Sequence, residues 1–366
     1  MTTPASSLPT RADLFVAILA GGGGERFWPA STPDVPKQFL SLGGGPSLIQ
    51  QAFERARTLA APERILVVAG RRFADLIRAH LPDLPSANLL LEPVGRDTAG
   101  AIGLAAVHLA RRRPGTTMVV LPADHHITPL DGFAATIADA LAALEVEDAL
   151  VTIGIKPTRP ETGYGYLLAG EQRPGSAARR VARFTEKPDR RTAEGFLLDG
   201  RYFWNGGIFV WRTATIAAEL ARSLPRHWER LHAIGAALGG PEEAAVLERE
   251  FAGLARISVD FGILEQAPTV CMVPARFQWS DLGSWPALAE VAAADADGNV
   301  VVGPHAGLDT TGCVIVSEGP PVGTVGLRDL IVVVTARGVL VCPRDRAQEV
   351  KALVQQHGLF AERGDA

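Results

Sequence analysis

Short apolar runs and longer helix-periodic stretches alternate through the first half of the chain. The runs Leu14–Ala20, Arg64–Ala69, Asn88–Leu91, Thr117–Leu121 and Ala149–Ile155 are each followed by glycine, proline or a charged residue. That pattern predicts short, fully buried strands. Between them, Ser47–Leu59, Arg72–His80, Thr98–Arg112 and Gly132–Leu144 carry helical patterns. In "TAGAIGLAAVHLARRR" the apolar residues recur at helical spacing and Arg111 to Arg113 close the stretch, where cations suit a helix end. The alternation predicts an α/β fold with a mainly parallel sheet and helices on both faces. Ligands of such sheets bind beyond the carboxyl ends of the strands.

The second half is patterned differently. "RVARFTEKP" and "NGGIFVWR" predict strands, and Ala214–Leu224 and Glu242–Leu254 predict helices outside the sheet. After about Asp297, short β runs such as "GCVIVSEG" and "LIVVVTARGVLVCP" are separated by glycine turns, with a last helix near Asp345–His357. The expected organisation is a domain over residues 1–291 and a small β-rich domain over 292–366, its glycine spacing suited to a short β-solenoid.

Composition narrows the class without naming an activity. The chain has 366 residues, 47% apolar and 21% charged, with a formal net charge of −4. This is ordinary for a globular protein and gives no reason to expect nucleic acid or an anionic membrane as partner. Cys271, Cys313 and Cys342 are far apart and form no C-x-x-C pair, which fits a reducing cytoplasm rather than a disulfide or zinc framework. No charged-then-apolar leader opens the sequence and no apolar run is long enough for a membrane span, so a soluble cytoplasmic protein is expected.

Candidate chemistry begins at "LFVAILAGGGGERFWPASTPDVPKQFL". Glycines after a buried strand leave backbone N–H groups bare and permit close approach to an anion, with Arg26 and Lys37 as nearby cations. Two familiar loops fail by spacing. Arg26 and Phe27 break G-x-G-x-x-G, and no lysine follows these glycines at the NTPase distance. Asp124 in "VVLPADHHI" and Asp281 in "FQWSDLGSW" each follow a β-like run. Each is either a turn or N-cap residue or one of a pair of oxygen ligands for Mg²⁺, which needs only one or two carboxylates beside phosphate oxygens. The adjacent His125 and His126 point apart on a loop with no third partner, which disfavours zinc. "PETGYGY" and "FWNGGIF" are plain turns or sugar-binding loops, with Glu161 and Asn205 as hydroxyl partners. Glu186 and Lys187 in "FTEKPD" form either a surface ion pair or part of a site.

Taken in order, these segments resemble a family. "ILAGGGGERFWPAS", "PKQFL", "EPVGRDTAGAIGLAA", "LPADHHI", "GIKPTRPETGYGY", "FTEKPD", "WNGGIFVW", "SVDFGILE" and "WSDLGSW" are similar to motifs of the sugar-phosphate nucleotidylyltransferases. "PKQFL", "PETGYGY" and "WSDLGSW" together point to the mannose-1-phosphate guanylyltransferase branch. The resemblance implies a Rossmann-like α/β domain with a mixed, mainly parallel sheet, followed by a left-handed β-helix-like domain. It implies transfer of GMP from GTP to mannose 1-phosphate, giving GDP-mannose and pyrophosphate, with Mg²⁺ as cofactor and a homodimer as the assembly. Longer members carry a further isomerase domain, and no isomerase activity is expected here.

The resemblance also implies roles. Ala20, Gly21, Gly22, Gly24, Arg26 and Lys37 face the GTP phosphates, and Arg96, Asp97 and Thr98 lie near the base. Asp124 and Asp281 hold the metal, with Asp124 also at the nucleotide. Glu161, Gly163, Tyr164, Glu186, Asn205 and Asp260 line the sugar pocket, and Lys187 grips its phosphate. Arg26, Lys37, Asp124, Lys187 and Asp281 form the expected catalytic set. Two departures stand out: Gly23 and Glu25 replace the Ser and Thr of the family's G-G-S-G-T-R loop, and Asp97 replaces an Asn. Glu25 beside a triphosphate is repulsive unless it turns away or towards the metal. The competing readings are another nucleotide and hexose pair, or a silent homologue that binds GDP-mannose.

Overall fold

Strand β1 (Leu14–Ala20) carries the glycine loop on its carboxyl end and sits in the middle of parallel strands. It pairs with β2 (Ile65–Gly70), Val16 opposite Ile65, and with β4 (Thr117–Pro122), Phe15 opposite Met118. Covered on both faces, these strands tolerate no polar alternation, which explains their unbroken apolar sequence. The computed structural model describes residues 11–360. Residues 1–10, most of the segment read above for a leader, lie outside them.

By contacts the described chain divides into two units that are not contiguous in sequence. Unit 1 takes residues 11–21, 53–122 and 127–279, and unit 2 takes 22–52, 123–126 and 280–360. The main sheet, in unit 1, has nine strands. After β3 (Leu89–Glu92) the chain forms β5 (His126–Thr128), β6 (Leu150–Ile155), β7 (Tyr166–Gln172), β8 (Arg179–Thr185), β9 (Tyr202–Arg212), β10 (Val270–Pro274) and β11 (Gln278–Ser280). The order is β3-β2-β1-β4-β9-β6-β10-β8-β7, while β5 and β11 pair separately. The first four are parallel throughout. β9 then runs antiparallel to both β4 and β6, and β7 and β8 are antiparallel neighbours. The sheet is therefore mixed, and β1 lies in its parallel half.

The helices are α1 (Leu48–Arg57), α2 (Ala74–His80), α3 (Asp97–Arg112), α4 (Leu130–Val146), α5 (Arg190–Asp199), α6 (Thr213–Ser223), α7 (Pro225–Ala237), α8 (Glu243–Ala252) and α9 (Val350–Gln356). On α3 the apolar stripe through Ile102, Ala105, Ala106 and Leu109 joins one core with Leu231 and Ile234 of α7 and Phe251 of α8. Gly103 is required there, because a side chain would run into Leu231. None of the described helices is long and apolar enough to cross a membrane.

In unit 2, β12 (Val300–Val302), β14 (Val314–Ser317) and β16 (Leu330–Thr335) stack in parallel, with β17 (Gly338–Pro343) antiparallel at the edge. Between them, β13 (His305–Leu308) and β15 (Val322–Val325) form a second parallel pair. The chain thus winds between two small sheets as a short β-helix. Period-two alternation gives its strands two cores. Val314, Val316, Ile331 and Val333 pack with Phe27, Leu48, Trp285, Val350 and Val354, while Ile315 and Val332 pack with Cys313 on the other side. The single helix expected near Asp345–His357 is a 3-10 segment, Arg344–Glu349, followed by α9. The burial of Ala347, Val350 and Val354, spaced three then four apart, suits that change of pitch.

Candidate active site

In unit 2 the glycine loop closes on a lysine. Gly24 has φ +74°, and a side chain there would strike the Cβ of Lys37, so only glycine fits. Residues 25–27 then make one 3-10 turn. Phe27 tilts against Trp285 with ring centroids 5.0 Å apart, and Trp285 Nε1 donates to the carbonyl of Trp28 at 3.1 Å. The loop is therefore held by its aromatic neighbour rather than by its own sequence.

Lys37 is 6% exposed. Its Nζ donates to Asp124 Oδ2 at 2.8 Å and to the main-chain oxygen of Asp281 at 2.5 Å. One ammonium thus draws together the two aspartates singled out far apart in sequence. Burial works to raise the Asp124 carboxyl, but the Lys37 charge and hydrogen bond, with His125 close by, outweigh it and hold the group below the usual range. Arg26 Nη1 reaches the carbonyl of Gly283 at 3.4 Å, within the same unit. Among the described residues no group of three His, Cys, Asp or Glu side chains forms a metal cage. Asp124 brings its carboxylate and Asp281 its main-chain oxygen to this point, hard oxygen donors of the kind that suit a Mg²⁺ ion. Glu25 turns neither into the loop nor towards the aspartates. Its Oε2 accepts from Gln355 Nε2 at 3.1 Å and lies 3.5 Å from Lys351 Nζ, both on α9.

In unit 1, the carboxyl end of β3 presents Glu92, which the sequence motifs contained but did not single out. It is 4% exposed, and its Oε2 lies 3.9 Å from where a Cβ on Gly21 would project. Burial, reinforced by the charge of Asp97, pushes its carboxyl up to about 7. Asp97 has φ +65° and accepts from the N–H of Thr98 at 2.8 Å, while Arg256 lies 3.8 Å away. Arg96 donates to the carbonyl of Ala252, and Thr98 Oγ1 accepts from Val259 N–H at 2.8 Å. These two side chains thus tie the start of α3 to neighbouring backbone. Ala20 is buried at the end of β1, and Gly22 faces open space.

A second cluster in unit 1 joins four of the quoted motifs. Lys187 N–H donates to the carbonyl of Tyr164, and Asn205 N–H to that of Gly165, at 3.2 and 2.8 Å. Asn205 Nδ2 donates to Asp260 Oδ1 at 2.7 Å, and its Oδ1 accepts from Thr152 Oγ1 at 2.8 Å. The N–H of Gly207, which can only donate, reaches the same Oδ1 at 3.3 Å and sets which way the amide points. Glu186 Oε1 meets Lys187 Nζ at 2.8 Å, the carboxylate nearly buried and the ammonium largely exposed. Burial and the charge of Glu186 push the Asp260 carboxyl up to about 7, against the lowering pull of Asn205 and Lys187. Gly165 leaves room for Glu186 Oε2, which would stand 2.5 Å from a Cβ there.

The "PETGYGY" loop is less open than its sequence suggests. Glu161 Oε1 accepts from the N–H groups of Thr162 and Gly163, and Arg159 holds its Oε2 at 3.2 Å. Tyr164 packs edge-on against Trp204 and Trp279, with centroids 5.2 and 5.3 Å away. The two tryptophans were not anticipated as site residues. Trp204 sat inside a quoted motif, and its β-strand spacing beside Asn205 was the available signal.

Comparison with known proteins shows the family. The family described as Nucleotidyl transferase matches residues 16–298, and that described as MannoseP isomerase/GMP-like beta-helix domain matches residues 303–357. The xanthan biosynthesis protein XanB of Xanthomonas campestris pv. campestris (strain B100) is 39% identical over 358 residues, covering 94% of this chain and 73% of that protein. A mannose-1-phosphate guanylyltransferase of Escherichia coli (strain K12) is 36% identical over 357 residues, covering 94% and 74%. A crystal structure from Thermus thermophilus, described as a mannose-1-phosphate geranyltransferase, superposes with a TM-score of 0.86 at 39% identity, covering 94% of this chain and 99% of that one. By this likeness over nearly its whole length, the chain is an enzyme of the nucleotidyl transferase family and belongs with its mannose-1-phosphate guanylyltransferases.

Proposed function

We propose that the chain transfers GMP from GTP to α-D-mannose 1-phosphate, giving GDP-mannose and pyrophosphate. The observation that carries this reading is Lys37, clasped between Asp124 and the backbone of Asp281 beside a glycine loop that carries Arg26. A sugar-phosphate oxygen attacks the α-phosphorus, the bond from that phosphorus to the bridging oxygen breaks, and pyrophosphate leaves. No strong general base is needed, because a phosphate monoester with a second pKa of about 6 is already largely dianionic at neutral pH. The demand on the protein is electrostatic and positional.

The residues divide that work. The amides of residues 21–24, Arg26 and Lys37 would hold the triphosphate. Asp124 and Asp281 would hold a Mg²⁺ ion, which, when bound, neutralises phosphate charge. Lys187 would bind the mannose phosphate, and Glu161, Gly163, Tyr164, Glu186, Asn205 and Asp260 the sugar. Glu92 enters as the acceptor for the guanine N–H edge, since a carboxylate offers lone pairs only and guanine presents donors there. Asp97 acts beside it, and Arg96 and Thr98 keep the start of α3 in place. Residues 1–291 would then bind both substrates, with 292–366 as the β-rich domain. A cytoplasmic setting, where GTP is made, suits three cysteines that are all unpaired.

Pyrophosphate release with Mg²⁺, across four NTPs against mannose, glucose and N-acetylglucosamine 1-phosphates, tests this. The expected result is one dominant cell, GTP with mannose 1-phosphate. Dominance elsewhere overturns the substrates, and an empty grid overturns the transfer.

A further inference from the structure

Glu25 places a carboxylate in the one loop that has to accept a polyanion, and its partners come from the far end of the sequence. Lys351 and Gln355 are four residues apart on α9, hence on one face, and both meet Glu25 Oε2. The same short turn is packed on that segment by apolar contact. Phe27 shares a core with Val350 and Val354, and a Cβ on Gly23 would lie 3.9 Å from the ring of Phe360. As a stabilising contact the ion pair is minor, because Lys351 is half exposed and such pairs contribute about 0–1 kcal/mol. Its larger effect is on what the loop can bind. A carboxylate whose charge is unmatched repels an anion at neighbouring amides, and one matched by an ammonium does not.

We propose that the C-terminal helix α9 is a working part of the phosphate loop: Lys351 and Gln355 hold and neutralise Glu25 so that residues 21–24 accept a triphosphate. Lys351 is a positioning residue and touches no reacting atom. The inference rests on the reading of the glycine loop as the GTP phosphate site. It also assigns the Glu25 departure a compensation within the same chain.

The test compares the full-length wild type with Lys351→Ala, Lys351→Arg, Glu25→Gln and the double variant Glu25→Gln/Lys351→Ala. Steady-state pyrophosphate release gives KM for GTP and for mannose 1-phosphate, and calorimetric titration with GTP gives affinity independently of turnover. Lys351→Ala is expected to weaken GTP by ~5–10-fold at low salt, with the mannose 1-phosphate KM and kcat little changed. Raising the salt to ~0.5 M should shrink the effect. Lys351→Arg should hold GTP near the wild-type level, and the double variant should recover it, because removing the carboxylate removes the need for its partner. Equal GTP affinity in Lys351→Ala and wild type overturns the proposal. So does a double variant as weak as the single one, which would mean that Lys351 acts by packing alone. Wild-type protein that binds GTP but releases no pyrophosphate would sink the transfer reading and leave this inference to the titrations. Wild-type protein that binds no GTP would sink both.

Discussion

Two carboxylates, one in each unit, stand in opposite electrostatic company. Asp124 in unit 2 meets the ammonium of Lys37 at 2.8 Å and is held below the usual carboxylate range. Asp260 in unit 1 is pushed up to about 7 by burial and by the charge of a second carboxylate, Glu186. Glu92, buried with Asp97 for company, is pushed to a similar value. The contrast lies in the company each keeps: beside an ammonium a carboxyl keeps its charge, whereas burial beside another acid pushes it towards protonation.

Asp124→Asn breaks the charged side of this contrast and should have the largest effect. It leaves a nearly buried ammonium without its counter-charge, so a loss of about 3 kcal/mol in stability is expected. Turnover should fall by roughly 10²–10³-fold, the scale for removing one preorganised electrostatic group. Thermal melts and kcat on the same preparation separate the two, and near-normal turnover would remove Asp124 from the site.

Glu92→Gln tests the crowded side, and its signature is opposite in sign. The folded state keeps the proton that the unfolded chain releases near pH 4.5, so the wild type loses stability as pH rises from about 4.5 to about 7. The glutamine variant escapes that loss. It should melt higher than wild type above pH 7, by up to about 3 kcal/mol of stability, and equal it near pH 4. At the same time its use of GTP should fall, the familiar opposition of stability and function. A gain independent of pH would show that the Glu92 carboxyl is not perturbed.

The smallest effect is expected at Asp260→Asn. The substrate phosphate titrates in this window too, with a pKa of about 6. The quantity to read is therefore the ratio of wild-type to variant KM for mannose 1-phosphate, which should drift by a factor of about 2–3 between pH 6 and 8 as a carboxyl near 7 titrates. Parallel pH profiles would mean that Asp260 does not meet the sugar.

Much of this was legible before any coordinates. The parallel strands β1, β2 and β4 announce themselves as unbroken apolar runs, because both faces are covered, and Asp124 follows β4 as the pattern required. Elements stabilised from outside were not legible. Helix α7 begins on a proline and is polar over much of its length, and it is the core around Leu231 and Ile234 that fixes it. The short apolar strand β10 carries no period to distinguish it from a buried helix turn. Helix α5 escaped attention although Asp189 caps it, accepting from Thr192 N–H at 2.8 Å. In the site, Lys37 was visible, but not that it binds both aspartates. Glu92 offered only an acidic residue before a proline. The direction of Glu25 depended on α9, over 300 positions away, and no local rule reaches that far.

The noncontiguous make-up of unit 2 has a practical consequence for anyone dissecting the protein. Phe27, Leu40 and Leu48, from the segment that follows the glycine loop, share one core with Trp285, Val314, Val333 and Val350. Cutting the chain near residue 292 and discarding the tail would not liberate a smaller catalyst. It would leave Phe27 its neighbour Trp285 but strip Val314, Val333 and Val350 from the core they share. The β-rich tail is better regarded as part of the loop's foundation.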